Sequence, residues 1–259
     1  MSRTLRHLRR LLPPITILVG LIAIWEFVAR LFAVPAWLLP APSAIVLALV
    51  DSAPALSGHL VTTLVEAALG FALALAAAFG TAILIDQSSL ARRAIAPLLV
   101  ASQTVPYFAL APLLAVWFGF GMLPKILIVA LVGFFPIAVN LAAGLRAADP
   151  EVLDLLRGMG AGRRQIFTKV KLPGAMPSLL AGMRIAATYS IIGAVIAEWI
   201  GASRGLGLFL LRAANSFKTD QVFAAIALIV LLSVVLYLSV DVLGRVIAPW
   251  TYANQEEPT

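Results

Sequence analysis

Residues 151–177, EVLDLLRGMGAGRRQIFTKVKLPGAMP, form a polar island in an otherwise apolar chain. The segment carries Arg157, Arg163, Arg164, Lys169 and Lys171. It also holds Gly158, Gly160 and Gly162 at a spacing that invites comparison with phosphate-binding loops. Three readings are open: a nucleotide site, a basic loop at a membrane surface, or a docking surface for another protein. The choice decides how the apolar segments on either side are arranged.

The surroundings are unlike a soluble domain. Of 259 residues, 62% are hydrophobic and 12% charged, against about a quarter charged in an average soluble domain. Mean hydropathy is +1.02, and apolar runs of the roughly 20 residues needed to cross a bilayer recur along the chain. The fold class expected is all-α, a polytopic membrane bundle of about six helices. The spans are predicted at 13–34, 60–85, 94–118, 123–145, 177–200 and 221–244. The first run continues past Glu26 and Arg30, longer than a signal-peptide apolar core, and reads as a retained span. No charge occurs from Ala94 to Pro124, so that run must hold a span and a turn, placed at Gly119-Phe120-Gly121.

The net charge of +7 is explained by the excess of Lys and Arg in cytoplasmic loops, not by nucleic acid. With the N-terminus inside, thirteen basic residues are cytoplasmic: Arg3, Arg6, Arg9, Arg10, Arg92, Arg93, Arg146, Arg157, Arg163, Arg164, Lys169, Lys171 and Arg245. Four are external: Lys125, Arg204, Arg212 and Lys218. Arg30 and Arg184 fall at span ends and are expected to snorkel. Both termini are therefore cytoplasmic, with a basic segment at 1–12, a membrane domain at 13–250 and a tail at 251–259. Segment 146–176 is the largest cytoplasmic loop. Segment 35–59 is external and contains a short apolar helix after Pro40 and Pro42. Without Cys, and with only His7 and His59, no Cys-based or His-based metal or catalytic cluster is expected.

Within the loop, Asp149-Pro150-Glu151 is a helix-start signal, since Asp caps free N–H groups and Pro suits the first helical position. Val152, Leu155, Leu156 and Met159 follow at helical spacing, and Gly160 and Gly162 are the stop. A second, basic helix is predicted over 163–171, ending at Leu172-Pro173. The nucleotide reading lacks its chemistry: no Lys-Ser or Lys-Thr pair follows the glycines, and no strand precedes them. A basic loop alone explains the charge but not an apolar stripe facing water, which calls for burial against the bundle or in a partner's groove.

The run from Gly160 resembles the G-x(9)-[IV]-x-L-P half of the EAA loop of binding-protein-dependent ABC importer permeases. The E-A-A triplet falls on Asp154-Leu155-Leu156, with the acid kept as Asp and both alanines replaced. SQTVPYFALAPLLAVWFGFG at 102–121 and AEWIGASRGLG at 197–207 resemble the nitrate/sulfonate/taurine branch, over roughly residues 38–250. This resemblance implies a MetI-like fold and a multi-pass place in the bacterial inner membrane. It implies a second permease subunit in a homodimer, two cytoplasmic ABC ATPases that bind and hydrolyse the ATP, and an external solute-binding protein. It implies no catalytic site and no cofactor of the chain's own. The coupling helix would be about Asp149–Gly160, with Val152, Leu155, Leu156 and Met159 as knobs and Asp154, Arg157, Arg163 and Arg164 as polar anchors; Gly160, Leu172 and Pro173 complete the motif. RIAATYSIIGAVIAEWIG at 184–201 and RAANSFKTDQVFAAI at 212–226 most resemble permeases for a thiamine-precursor pyrimidine, then riboflavin permeases.

Polar groups inside spans are costly and suggest function. Gln103, Thr104, Tyr107, Asn140, Thr188 and Tyr189 are read as lining a solute path, with interhelical hydrogen bonding as the alternative. Glu26–Arg30 is expected as an i,i+4 pair, Glu198 as a partner of Arg204 or, alternatively, as a contact for incoming substrate or an external partner, and Ala72, Ala76 and Gly80 as a packing ridge. An ion-coupled carrier is the rival class, but internal repeats and midplane titratable groups are not evident. An intramembrane enzyme lacks a nucleophile–base pair.

Overall fold

The computed structural model describes the backbone of residues 3–253 and the side chains of residues 12–252. Arg3, Arg6, His7, Arg9 and Arg10 of the basic segment, and 254–259 of the tail, carry expectations that lie outside the described side chains. Among the described residues the regular structure is entirely helical. In chain order the helices are α1 (Arg3–Leu31), α2 (Pro42–Asp51), α3 (Ala53–Gln87), α4 (Ser89–Ser102), α5 (Tyr107–Phe118) and α6 (Met122–Arg146). They continue with α7 (Pro150–Gly158), α8 (Arg163–Ile166), α9 (Leu172–Glu198), α10 (Leu206–Asn215), α11 (Thr219–Ile247) and α12 (Trp250–Ala253).

Among the described residues, five helical segments are long and apolar enough to cross a membrane, and α4 with α5 makes a sixth if the bent pair is one span. The third span, expected over 94–118, is broken near its middle. α4 and α5 meet at an angle of 102°. Pro106 has no N–H to continue a helix, and its ring pushes Val105 out of the helical region. The freed backbone closes in tight turns instead, with Gln103, Thr104 and Val105 donating to Val100, Ala101 and Ser102. Gly119 then turns the chain at φ 82°, as expected.

The chain divides into two units. The first comprises Met1–Gly58 and Phe209–Leu228. Here the expected Glu26–Arg30 pair forms at 2.5 Å and does more than bridge one helical turn. Glu26 accepts from the backbone N–H of Ser43 at 2.9 Å and from its hydroxyl at 2.8 Å. Ser43 follows Pro42 in the first turn of α2, where N–H groups have no partner within the helix and a carboxylate is favoured. Trp25 packs on Phe223 with centroids 5.5 Å apart, and Thr219 donates to the Trp37 carbonyl at 2.6 Å.

The second unit comprises His59–Leu208 and Ile229–Thr259, and its core is the α6–α9 pair with one face of α3. Small residues let the axes approach. A Cβ added at Gly182 would stand 2.6 Å from the Pro136 carbonyl. The buried ridge of α3 is Ala67, Ala74, Ala78 and Ala82, each fully buried; the predicted ridge of Ala72, Ala76 and Gly80 is exposed. Both series have helical spacing, so composition alone favours neither face.

The basic helix expected to end at Leu172-Pro173 does not end there. α8 passes through a π-helical turn, Phe167–Lys171, directly into α9. A proline ring collides with the carbonyl four residues before it in a regular helix. Widening the turn ahead of Pro173 relieves that collision without breaking the rod. α10 lies between the spans predicted at 177–200 and 221–244, where no helix is predicted.

Candidate functional site

α7 is built as its sequence dictates. The Asp149 side chain accepts from the Glu151 N–H at 2.9 Å, Pro150 occupies the first turn, and Arg157 sits in the last. At the other end Gly160 takes φ 84°, where a side chain is disfavoured. Its N–H reaches the Arg157 carbonyl at 3.0 Å and that of Ala161 reaches Leu156 at 2.9 Å. This paired closure is the Schellman stop of a helix. Gly162 donates to the Gln165 side chain at 2.9 Å, which starts α8.

The apolar residues of α7 divide between two faces. Leu153, absent from the expected stripe, is the buried one, and Leu156 is half-buried. Val152, Leu155 and Met159 are exposed by 42%, 65% and 74%. They sit at i, i+3 and i+7 and form a continuous unpartnered stripe. Asp154 pairs with Arg157 at 2.6 Å beside it, and both are exposed. Arg163 and Arg164 are exposed at the start of α8, while Leu172 and Pro173 are half-buried. The Pro173 carbonyl accepts from the Trp250 indole at 3.2 Å.

The six polar residues read as a path occupy three places. Gln103 and Thr104 lie exposed in the α4–α5 break, where Thr104 bonds back to Ala101 at 2.7 Å. Tyr107 opens α5 and stacks on Phe135, centroids 6.5 Å apart. Asn140 donates to the Pro136 carbonyl at 2.7 Å, and Thr188 to the Arg184 carbonyl at 3.2 Å. Tyr189 is exposed. Among the described residues no hydrogen bond joins any two of the six; their polar groups are satisfied within their own helices or left open.

The strongest polar cluster of this unit was missed by sequence reasoning. Glu198 is fully buried. It accepts from the Thr63 hydroxyl and from the Gly207 N–H, each at 2.6 Å. Thr63 in turn accepts from the Leu206 N–H at 2.9 Å, and the His59 ring from that of Gly205 at 2.9 Å. A Cβ at Gly205 would overlap the Glu198 carboxylate, and one at Gly207 would overlap the Val195 carbonyl. The turn before α10 is thus clamped between α3 and the end of α9. Arg204, the expected partner of Glu198, is exposed instead.

Two further basic residues depart from the topology count. Lys125, expected as an external loop charge, is buried in α6 and pairs with Glu66 at 2.7 Å. The second oxygen of Glu66 is buried with no hydrogen-bond partner. Arg184 does not snorkel from a span end; it pairs with Asp241 at 2.5 Å and donates to the Tyr252 hydroxyl at 2.6 Å. No sequence spacing announces pairs separated by more than fifty residues. Among the described residues no group of acids and histidines has the arrangement of a metal site.

The chain is similar to known proteins along most of its length. The family described as binding-protein-dependent transport system inner membrane component matches residues 70–251. The formylaminopyrimidine transport permease protein ThiX of Halalkalibacterium halodurans is 38% identical over 92% of this chain and 96% of its own. A putative aliphatic sulfonates transport permease protein of Bacillus subtilis is 34% identical, covering 89% and 84%. The riboflavin transport system permease protein RibX of Chloroflexus aurantiacus is 33% identical, covering 92% and 89%. Among solved structures, the inward-facing MetNI methionine ABC transporter superposes with a TM-score of 0.65 at 19% identity, over 74% of this chain and 95% of that one. The last likeness is one of fold.

Proposed function

This chain belongs to the family of binding-protein-dependent transport system inner membrane components and is a multi-pass permease subunit of an ABC importer; from that premise we propose how it couples and what it carries. The observation that carries the reading is the exposed stripe of Val152, Leu155 and Met159 on α7, a helix whose other side is anchored by buried Leu153. An apolar face held out on a rigid, capped helix is suited to a partner's groove. The partner is a cytoplasmic ATPase subunit, one for each of two permease copies in a homodimer. ATP is bound and hydrolysed by those partners, and this chain has no ATPase site of its own. Asp154 and Arg157 are the polar anchors beside the stripe, with Arg163 and Arg164 next to them.

Both termini are cytoplasmic, which places the 146–176 loop on the ATPase side and the clamped turn before α10 on the side of the external solute-binding protein. The membrane domain is 13–250, flanked by the segments 1–12 and 251–259. The α4–α5 break supplies Gln103, Thr104 and Tyr107 to the solute path, and Asn140, Thr188 and Tyr189 contribute from α6 and α9. The solute is a thiamine-precursor pyrimidine or a related small heterocycle, supported by the 38% identity to the formylaminopyrimidine permease. A sulfonate or riboflavin is the second reading, supported by relatives at 34% and 33%.

Asp154→Lys or Gly160→Asp tests the coupling. Each is expected to leave membrane insertion intact and abolish ATP-driven uptake in reconstituted vesicles; full uptake and ATPase co-purification would contradict the reading. Uptake driven by an imposed proton gradient without ATP would favour an ion-coupled carrier instead. Measuring which ligand the accompanying solute-binding protein takes decides the substrate class.

A further inference from the structure

A cavity of about 700 Å³ lies where the end of α3 meets the basic loop, lined among others by Asp86, Arg157, Arg163, Arg164, Phe167 and Lys171. Four cations and one acid line it, yet two of the cations are already neutralised. Lys171 pairs with Asp86 at 2.7 Å, with side chains only 20% and 7% exposed. Arg157 pairs with Asp154 at 2.6 Å. Arg163 and Arg164 have no ion-pair partner among the described residues, so the cavity holds two uncompensated guanidinium groups. Such planar forks match the oxygens of a phosphate group.

The position of the cavity narrows the source of that phosphate. Asp86 is in the last turn of an apolar membrane-crossing helix, and Lys171 directly precedes the apolar α9. The cavity therefore sits where hydrocarbon gives way to water, and half-buried Phe167 supplies an apolar wall. A soluble phosphate has no use for such a wall, whereas a phospholipid offers a charged head joined to an apolar tail. Basic pockets between membrane helices on the cytoplasmic side take anionic lipid head groups in this way.

We propose that this cavity is a binding site for an anionic phospholipid, whose phosphate is held by Arg163 and Arg164 and whose chain runs along Phe167. The bound lipid would fix the loop from which α7 projects. Arg157 both lines the cavity and stands beside the docking stripe, so the two sites adjoin; Val152, Leu155 and Met159 do not line the cavity, and a change at the stripe separates them.

The test uses the full chain purified without ATPase and measures retained lipid by native mass spectrometry, with phosphatidylglycerol and phosphatidylcholine as probes. Wild type is expected to retain phosphatidylglycerol selectively. R163Q/R164Q is expected to lose about five-fold per guanidinium, roughly 30-fold in all. R93Q removes an exposed charge outside the cavity and is expected to keep the selectivity, as is Leu155→Asp, which strikes the docking stripe. Three results would overturn the proposal: no discrimination between the two lipids in wild type, an equal loss in R93Q, or displacement of the lipid by millimolar inorganic phosphate. Loss of ATPase binding by Leu155→Asp with lipid selectivity intact separates the two sites.

Discussion

Asp154 and Glu198 are both acids close to an arginine in sequence, and they do opposite things. Asp154 pairs with Arg157 three residues away, in the open. Glu198 ignores exposed Arg204 and is fully buried, accepting from Thr63 and from the backbone of Gly207. An exposed ion pair is worth about 0–1 kcal/mol, so α7 can hold a docking face without its pair being structural. A buried acid costs several kcal/mol to desolvate and must be matched by its surroundings. Burial ties Glu198 to stability, whereas exposed Asp154 is free for the coupling role proposed for α7. Substitutions in each region should move different readouts.

The largest effect is expected at Lys125, in the same α3-centred polar region as Glu198. Lys125→Met leaves Glu66 buried without its counter-charge and should destabilise by about 3–5 kcal/mol, seen as a large drop in Tm of the detergent-solubilised chain. Adding Glu66→Leu should recover most of the loss. If the single change were neutral, the pair would not be structural.

Thr63→Val comes next. It keeps the shape but strands one Glu198 oxygen and the Leu206 N–H, at a cost of about 1–3 kcal/mol. Thr63→Ser should restore stability, because the hydroxyl alone carries the bonds. A Tm equal for Val and Ser would show that packing, not hydrogen bonding, holds the turn.

Arg157→Ala is the mildest change to the fold, within about 1 kcal/mol, and should leave Tm almost unmoved. ATP-driven uptake should nevertheless fall if Arg157 anchors the docking face as proposed. A parallel decline of Tm and uptake would erase the distinction between the two regions.

The same contrast explains what the sequence revealed. α7 was legible to the residue at its ends, because Asp149, Pro150 and Gly160 act within one or two turns of themselves. Val152, Leu155 and Met159 of its stripe were legible too, but periodicity could not show that Leu153 is buried and Leu156 half-buried. The spans followed from hydropathy, and Glu26–Arg30 from i,i+4 spacing. What stayed hidden depends on distant partners. Glu198 with Thr63, Lys125 with Glu66 and Arg184 with Asp241 are separated by 135, 59 and 57 residues. The bend before Pro106 and the π-helical turn before Pro173 show the other limit. A proline announces a disturbance, but whether the helix breaks or widens depends on what packs around it. Gly205 and Gly207 likewise owe their place to distant packing, one making room for the Glu198 carboxylate and the other for the Val195 carbonyl.

The absence of cysteine from the chain allows the docking claim to be measured directly. A single Leu155→Cys variant, 65% exposed at that position, is labelled with a water-soluble maleimide in the presence and absence of the partner ATPase. Rapid labelling of the free permease and at least ten-fold protection on addition of the ATPase are expected, with Ser57→Cys, far along α3, labelled equally in both. Equal labelling of Leu155→Cys with and without a stably bound ATPase would contradict the assignment of α7 as the coupling helix.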